Sequence, residues 1–288
     1  MMIRRLLRWL GWIVGCLAVI GIIAYTAVYV LSEHALRRTY DVPAVAVSIP
    51  SGPDAIAEGQ RLAIVHGCYG GCHGKHAGGA VMFDQPIIGR IVAPNLTAAV
   101  RKYSDTELVN IIRHGVRPGG RSMMVMPSEA FVLLTDEDLG RIIAFLKSLP
   151  AIEGPGPDVS MGPLGRIGVA VGQFKPVAQL IAETVPPPEA SNPPAANGRY
   201  LARTICVQCH GTNLRGASNP DFTSPNLQIV AAYSPAQFSQ LLKTGIALGG
   251  RFPPTMGPYA RALLSHLTDS EIADLYSYLH ALPDAAGK

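Results

Sequence analysis

Cys206-Val207-Gln208-Cys209-His210 is the stretch on which the reading of this chain turns. Two thiols a helical turn apart can each bond one vinyl-derived carbon of a porphyrin, and the histidine that follows then reaches the iron. In an exported chain this C-x-x-C-H pattern reads as covalent attachment of haem c. A thioredoxin-like redox pair needs a βαβ context, which the surrounding sequence lacks. Half of a zinc site needs further ligands, and this half of the chain offers only His266 and His280, far along it.

Working outward, Cys68-Tyr69-Gly70-Gly71-Cys72-His73 carries the same ingredients with one more residue between its cysteines. Taken alone, Cys68, Cys72, His73 and His76 also suit a zinc cluster. Repetition favours a second haem. Leu62-Ala63 answers Leu201-Ala202, Pro94-Asn95-Leu96 answers Pro225-Asn226-Leu227, and Tyr103-Ser104 answers Tyr233-Ser234. Gly119-Gly120-Arg121 answers Gly249-Gly250-Arg251, and Leu134-Thr135-Asp136 answers Leu267-Thr268-Asp269. Gly70-Gly71 can absorb the extra residue because glycine tolerates unusual dihedrals. His66, His76 and His114 then fall to packing or surface roles.

The repeat divides the chain into a basic stub with an apolar run at 1–31, a first unit at 54–150, a Pro/Gly-rich linker at 151–189 and a second unit at 190–288. Each unit, at about 100 residues, is long enough to hold its own core around a cofactor. Both read as helical. Leu139, Ile142, Ile143, Leu146 and Leu149 mark one apolar helix face, matched by Ile272, Leu275, Tyr276, Leu279 and Leu282. Thr135 with Asp138, Thr268 with Glu271 and Ser104 with Glu107 are N-terminal capping pairs, while Gly115, Pro150 and Pro283 are stops. Strand alternation is nearly absent. In the linker, Gly154-Pro155-Gly156-Pro157 and Pro186-Pro187-Pro188 flank a stretch from 167 to 181 apolar enough to pack on a domain.

The sixth iron ligand has to come from elsewhere in each unit. The offset that carries Gly119-Gly120-Arg121 onto Gly249-Gly250-Arg251 carries Met126 onto Met256, whereas Met123 and Met124 fall on Pro253 and Pro254. Met126 and Met256 are therefore the expected distal ligands, against the general rule that methionine is more often a core filler. Arg121 and Arg251 suit haem propionates, or are solvated surface arginines. The Pro-Asn-Leu segments either orient the far nitrogen of each proximal histidine or are simple turns.

Residues 9–31 contain no charge, and at about 1.5 Å per residue a helix of that length covers a roughly 30 Å hydrocarbon core. Trp9 and Trp12 stand at one end, Tyr25 and Tyr29 near the other, and Arg4, Arg5 and Arg8 precede the run. An uncleaved single-pass anchor is expected, with residues 1–8 on the cytoplasmic side and 32–288 outside. A cleaved signal needs a shorter apolar region and a small-residue cleavage site. Ile13-Val14-Gly15-Cys16 loosely matches a lipoprotein site, but the apolar run continues well past Cys16. Of 288 residues only 15% are charged, 48% are hydrophobic, and mean hydropathy is +0.24, which excludes a disordered chain. The net charge of +4 owes much to those three early arginines, so nucleic acid is not an expected partner. Five cysteines are too few for a disulfide scaffold.

With both motifs in hand, the chain resembles the class I cytochrome c superfamily. More narrowly, it is similar to the membrane-anchored cytochrome subunits of bacterial alcohol, gluconate and related dehydrogenases. The matching residues are Gly59-Gln60-Arg61-Leu62-Ala63, the two cysteine motifs, Ala93-Pro94-Asn95-Leu96-Thr97, His114-Gly115-Val116, Met126-Pro127-Ser128 and Leu134-Thr135-Asp136-Glu137-Asp138-Leu139. Many such subunits carry three haem motifs; this chain carries two, the first with the longer spacing. The resemblance implies a mainly α fold, a transmembrane helix followed by two tandem cytochrome c domains whose first and last helices cross. It implies two covalent haem c groups, tethered by Cys68, Cys72, Cys206 and Cys209 and ligated by His73 with Met126 and His210 with Met256. The implied role is electron relay from a partner dehydrogenase or quinol-linked complex to a cytochrome, copper protein or terminal oxidase, with no independent catalysis. Two other readings stand beside it: a di-haem peroxidase or thiosulfate-oxidising cytochrome, and a di-haem subunit of a terminal oxidase.

Overall fold

The uncharged run at the N-terminus folds as part of one long helix, α1 (Met2–Arg37), whose large apolar side chains from Trp9 to Leu31, the half-buried Val28 apart, stand exposed. The computed structural model describes residues 2–43, 45–156, 158–184, 193–218 and 223–282, without the side chains of 158 and 193–196. Pro186-Pro187-Pro188, Pro283 and the chain end at Lys288 lie outside the described residues. After α1 an extended strap runs along the first unit. Tyr40 N donates to Gly120 O at 2.8 Å, and Val47 and Ile49 pack against the core.

The first unit comprises α2 (Pro53–Val65), the antiparallel strands β1 (Ala80–Gln85) and β2 (Gly89–Ala93), then α3 (Leu96–Lys102), α4 (Asp105–His114), α5 (Ser128–Phe131) and α6 (Asp136–Ser148). The capping signals operate as chemistry. Ser104 and Glu107 form a reciprocal capping box on α4, Gly115 ends that helix at φ +62°, and Thr135 Oγ1 accepts from Asp138 N at 3.1 Å. The linker region supplies β3 (Asp158–Met161), α7 (Pro163–Ala170) and α8 (Val177–Thr184). These fold back on the first unit: β3 pairs antiparallel with β2, and Val169 and Val177 are buried.

The second unit comprises α9 (Pro193–Leu201), a π-helical turn (Ala202–Cys206) leading into α10 (Val207–His210), the short strands β4 (Ala217–Ser218) and β5 (Thr223–Ser224), α11 (Pro235–Thr244), α12 (Met256–Ala262) and α13 (Asp269–His280). Thr268 and Glu271 form a capping box on α13. In each unit the first and last helices cross at a glycine. A Cβ on Gly59 would lie 2.0 Å from Arg141 O of α6, and one on Gly198 would lie 2.1 Å from Asp274 O of α13.

The architecture is mainly helical, as expected. The sheets are an addition to the reading from sequence. In β1 the pairing register shifts between Val81 and Phe83, and that bulge breaks the alternation that marks a strand. The second addition is that the two helical cores join. One cluster of buried residues runs from Leu62, Leu139 and Phe145 in the first unit to Leu201, Leu264 and Leu275 in the second.

Candidate haem sites

A helix ending in a wide turn delivers each cysteine motif. Past α2, Cys68 N donates to Ala63 O at 2.8 Å and Cys72 N to Gly67 O at 3.0 Å, both spanning five residues. In the second unit the π-helical turn ends at Cys206. Such wide turns are frequent at functional sites. In the longer first loop Gly70 adopts φ +80°, and a Cβ on Gly71 would lie 2.6 Å from Gly67 O. Glycine at both positions lets the Cys68–Cys72 loop close on itself.

The two motif histidines are held alike. His73 Nδ1 lies 2.8 Å from Pro94 O, and His210 Nδ1 lies 2.8 Å from Pro225 O. A carbonyl oxygen only accepts, so each Nδ1 carries the proton and donates. Each Nε2 therefore keeps its lone pair for a metal. Burial pushes both imidazoles below their ordinary pKa, which favours this neutral form. The asparagines after the two prolines fix the loops: Asn95 Oδ1 accepts from Thr97 N at 2.9 Å, and Asn226 Oδ1 from Gln228 N at 3.0 Å.

Burial, and after it the neighbouring thiol, pushes Cys68 up to about 12, with Cys72 beside it. The same two causes push Cys206 up to about 12, with Cys209 beside it. Two paired thiols next to a histidine with a free Nε2 are a donor set that fits a porphyrin tethered twice and ligated from one side. They do not fit zinc. Among the described residues no three His, Cys, Asp or Glu side chains converge into a metal cage, so Cys68, Cys72, His73 and His76 are not gathered as one.

The loops carrying Met126 and Met256 repeat each other atom for atom in their turn. Arg117 N donates to Arg121 O at 2.9 Å, and Ala247 N to Arg251 O at 2.7 Å; Gly120 N donates to Arg117 O, and Gly250 N to Ala247 O. Met126 and Met256 are half-buried and pack against the core cluster, a role that Met123 and Met124 do not share. Past the turn the loops diverge: Met126 precedes α5, whereas Met256 is the first residue of α12. Arg121 and Arg251 are exposed. His66 is buried, with Nδ1 3.0 Å from Leu62 O, and His76 is exposed beside Tyr69.

A family profile described as Cytochrome c matches residues 56–150 and 195–283, more than half of the chain. This chain belongs to the cytochrome c family. Covalently bound haem c is the family's cofactor. Among curated proteins, the fructose dehydrogenase cytochrome subunit of Gluconobacter japonicus is 26% identical over 263 residues, 81% of this chain and 53% of that one. The cytochrome c subunits of quinone alcohol dehydrogenases from Gluconacetobacter polyoxogenes and Komagataeibacter europaeus are each 25% identical over 259 residues, covering 77% of this chain and 54% of theirs. The cytochrome therefore spans about half the length of the curated relatives it matches.

Between the two cytochrome units the contacts are reciprocal. Arg61 of α2 pairs with Glu271, the third residue of α13, at 2.7 Å. Tyr200 of α9 donates to Asp138, the third residue of α6. In the repeat Arg61 answers Tyr200 and Asp138 answers Glu271, so the units meet as two subunits of a symmetric dimer do, each offering the other the same surface. The half-buried Tyr259 of α12 lies within electrostatic range of Cys68, Cys72, Cys206 and Cys209, and Cys209 lies within range of Cys72. The contacts of Arg61 with Glu271 and of Tyr200 with Asp138 join residues of different units, and no local signal in the sequence names them.

Proposed function

We propose that this cytochrome is a membrane-anchored di-haem electron relay, drawing electrons from a partner dehydrogenase or quinol-linked complex and handing them to a periplasmic carrier or terminal oxidase. The paired histidine anchors carry the reading: the same Nδ1-to-carbonyl bond at 2.8 Å leaves Nε2 free in both units. Similarity to cytochrome subunits of fructose and alcohol dehydrogenases supports the choice of partner.

In this proposal Cys68 and Cys72 tether one haem and Cys206 and Cys209 the other. His73 and Met126 would hold the iron of the first haem, and His210 and Met256 that of the second. Bound haem supplies an iron that cycles between the ferric and ferrous states, one electron at a time. With a methionine thioether as well as a histidine on each iron, oxygen and substrates would be kept off the metal, which favours a carrier over a catalyst. Residues 1–31 anchor the chain, with 54–150 and 190–288 as outward-facing domains and 151–189 joining them. Arg4, Arg5 and Arg8, in the first turns of α1 and ahead of its uncharged run, set that direction.

A pyridine haemochrome assay on the exported full chain should give two haems per chain, resistant to acid-acetone extraction. The reduced protein should pass electrons to an added soluble acceptor without turning over peroxide. One haem per chain, or steady peroxide turnover, would overturn the reading.

A further inference from the structure

α7 is packed against the outer end of α1, and Arg166 fastens the two. Its Nη1 donates to Ser32 Oγ at 3.0 Å and pairs with Glu33 Oε2 at 2.9 Å. Its guanidinium carbon stands 4.1 Å from the centre of the Tyr29 ring. Tyr29 belongs to the uncharged run at 9–31, the segment assigned above to the bilayer. A helix that covers Tyr29 therefore sits at the level where the anchor leaves the membrane.

The side of α7 that faces neither α1 nor the core is apolar. Leu164, Ile167 and Val171 fall at i, i+3 and i+7, one helical stripe, and are 50%, 39% and 66% exposed. Phe174 extends it at 47% exposed, its ring lying where a Cβ on Gly168 would be. Ile87, at the β1–β2 turn, is 57% exposed and lies beside the stripe, since its carbonyl accepts from Leu164 N at 2.9 Å. Single exposed apolar residues are ordinary, but five in one patch mark a surface that something covers. Its continuity with α1 says what that is.

We propose that the stripe Leu164, Ile167 and Val171, with Phe174 and Ile87, lies in the lipid headgroup and upper acyl region of the membrane that α1 spans. The inference rests on the anchor reading. The chain is then held at two points, one crossing the bilayer and one lying in its plane. Because α1 already confines the chain to the surface, a patch of this modest area suffices to orient it. The strap after α1 bonds to the distal loop of the first unit through Tyr40 N and Gly120 O, 2.8 Å apart. A fixed orientation at the membrane therefore fixes the height and attitude of the first haem site.

The test uses the full holoprotein in phospholipid vesicles, with Cys16→Ser and a single spin-labelled cysteine at Val171, at Val14 in mid-anchor, or at Gln240 on α11. Collision of each label with oxygen is compared with collision with a water-soluble nickel chelate. The oxygen-to-nickel ratio at Val171 should lie several-fold above that at Gln240 and below that at Val14. A ratio at Val171 equal to that at Gln240, with Val14 still reporting lipid, would overturn the membrane-seated stripe alone. A water-like ratio at Val14 would overturn the anchor and the stripe together.

Discussion

At the scale of single residues, the distal ligands are where the repeat discriminates. Met123, Met124 and Met126 compete within the first unit, and the matched turns at Arg121 and Arg251 put Met126 and Met256 in register. Methionine ligation raises haem potential and gives oxidised haem a weak near-infrared sulfur-to-iron band. Met126→Ala and Met256→Ala should each remove about half of that band and lower one haem's potential, read by redox titration. Met123→Ala and Met124→Ala should leave both properties unchanged. Loss of the band in Met124→Ala but not in Met126→Ala would show that the register fails in the first unit.

At the scale of elements, the crossing of first and last helices sets the shape of each unit. Gly59 and Gly198 are positions where backbone meets backbone, with Arg141 O and Asp274 O in the space a side chain would take. Gly59→Ala and Gly198→Ala should each destabilise their unit by about 1–3 kcal/mol, the usual cost of forcing extra volume into a close-packed contact. The measurement is the thermal midpoint of the holoprotein followed by far-ultraviolet dichroism. A midpoint unchanged in both variants would mean that the helices separate without cost. The capping signals at Ser104, Thr135 and Thr268 were legible because they act over three residues of sequence. The β1–β2–β3 sheet was not, since a bulge hides its alternation and its third strand comes from the linker.

At the scale of the whole molecule, the two units behave as a fused, approximately two-fold pair with one joined core. Arg61 is a two-pronged polar tie across it, bonded to Glu58 within α2 and through both terminal nitrogens to Glu271 of the other unit. Arg61→Ala leaves two carboxylates facing each other without their cation and should cost about 1–3 kcal/mol. The Arg61 hydrogen bond holds Glu58 below its ordinary 4.5. A carboxylate with a lowered folded-state pKa stabilises the fold above its unfolded value, and loses that contribution as pH falls through the folded one. The difference in melting temperature between wild type and Arg61→Ala should therefore be full near pH 7 and shrink below about pH 4. A difference that stays constant down to pH 3 would show that Arg61 acts through packing alone.

The helical class, the duplication, both cysteine motifs with their histidines, and the apolar N-terminal helix are all legible in the sequence alone. Each of these is written in local order: a fixed spacing, a periodicity or a run. Gly70-Gly71 announced the longer loop for the same reason, since its strain is confined to neighbouring residues. Packing alone reveals that the linker folds onto the first unit and onto α1, and that Arg61 meets Glu271 as Tyr200 meets Asp138. Those contacts join residues far apart in the chain. Which surfaces meet depends on the shapes of two finished units, and shape is a property of packing that no window of sequence contains.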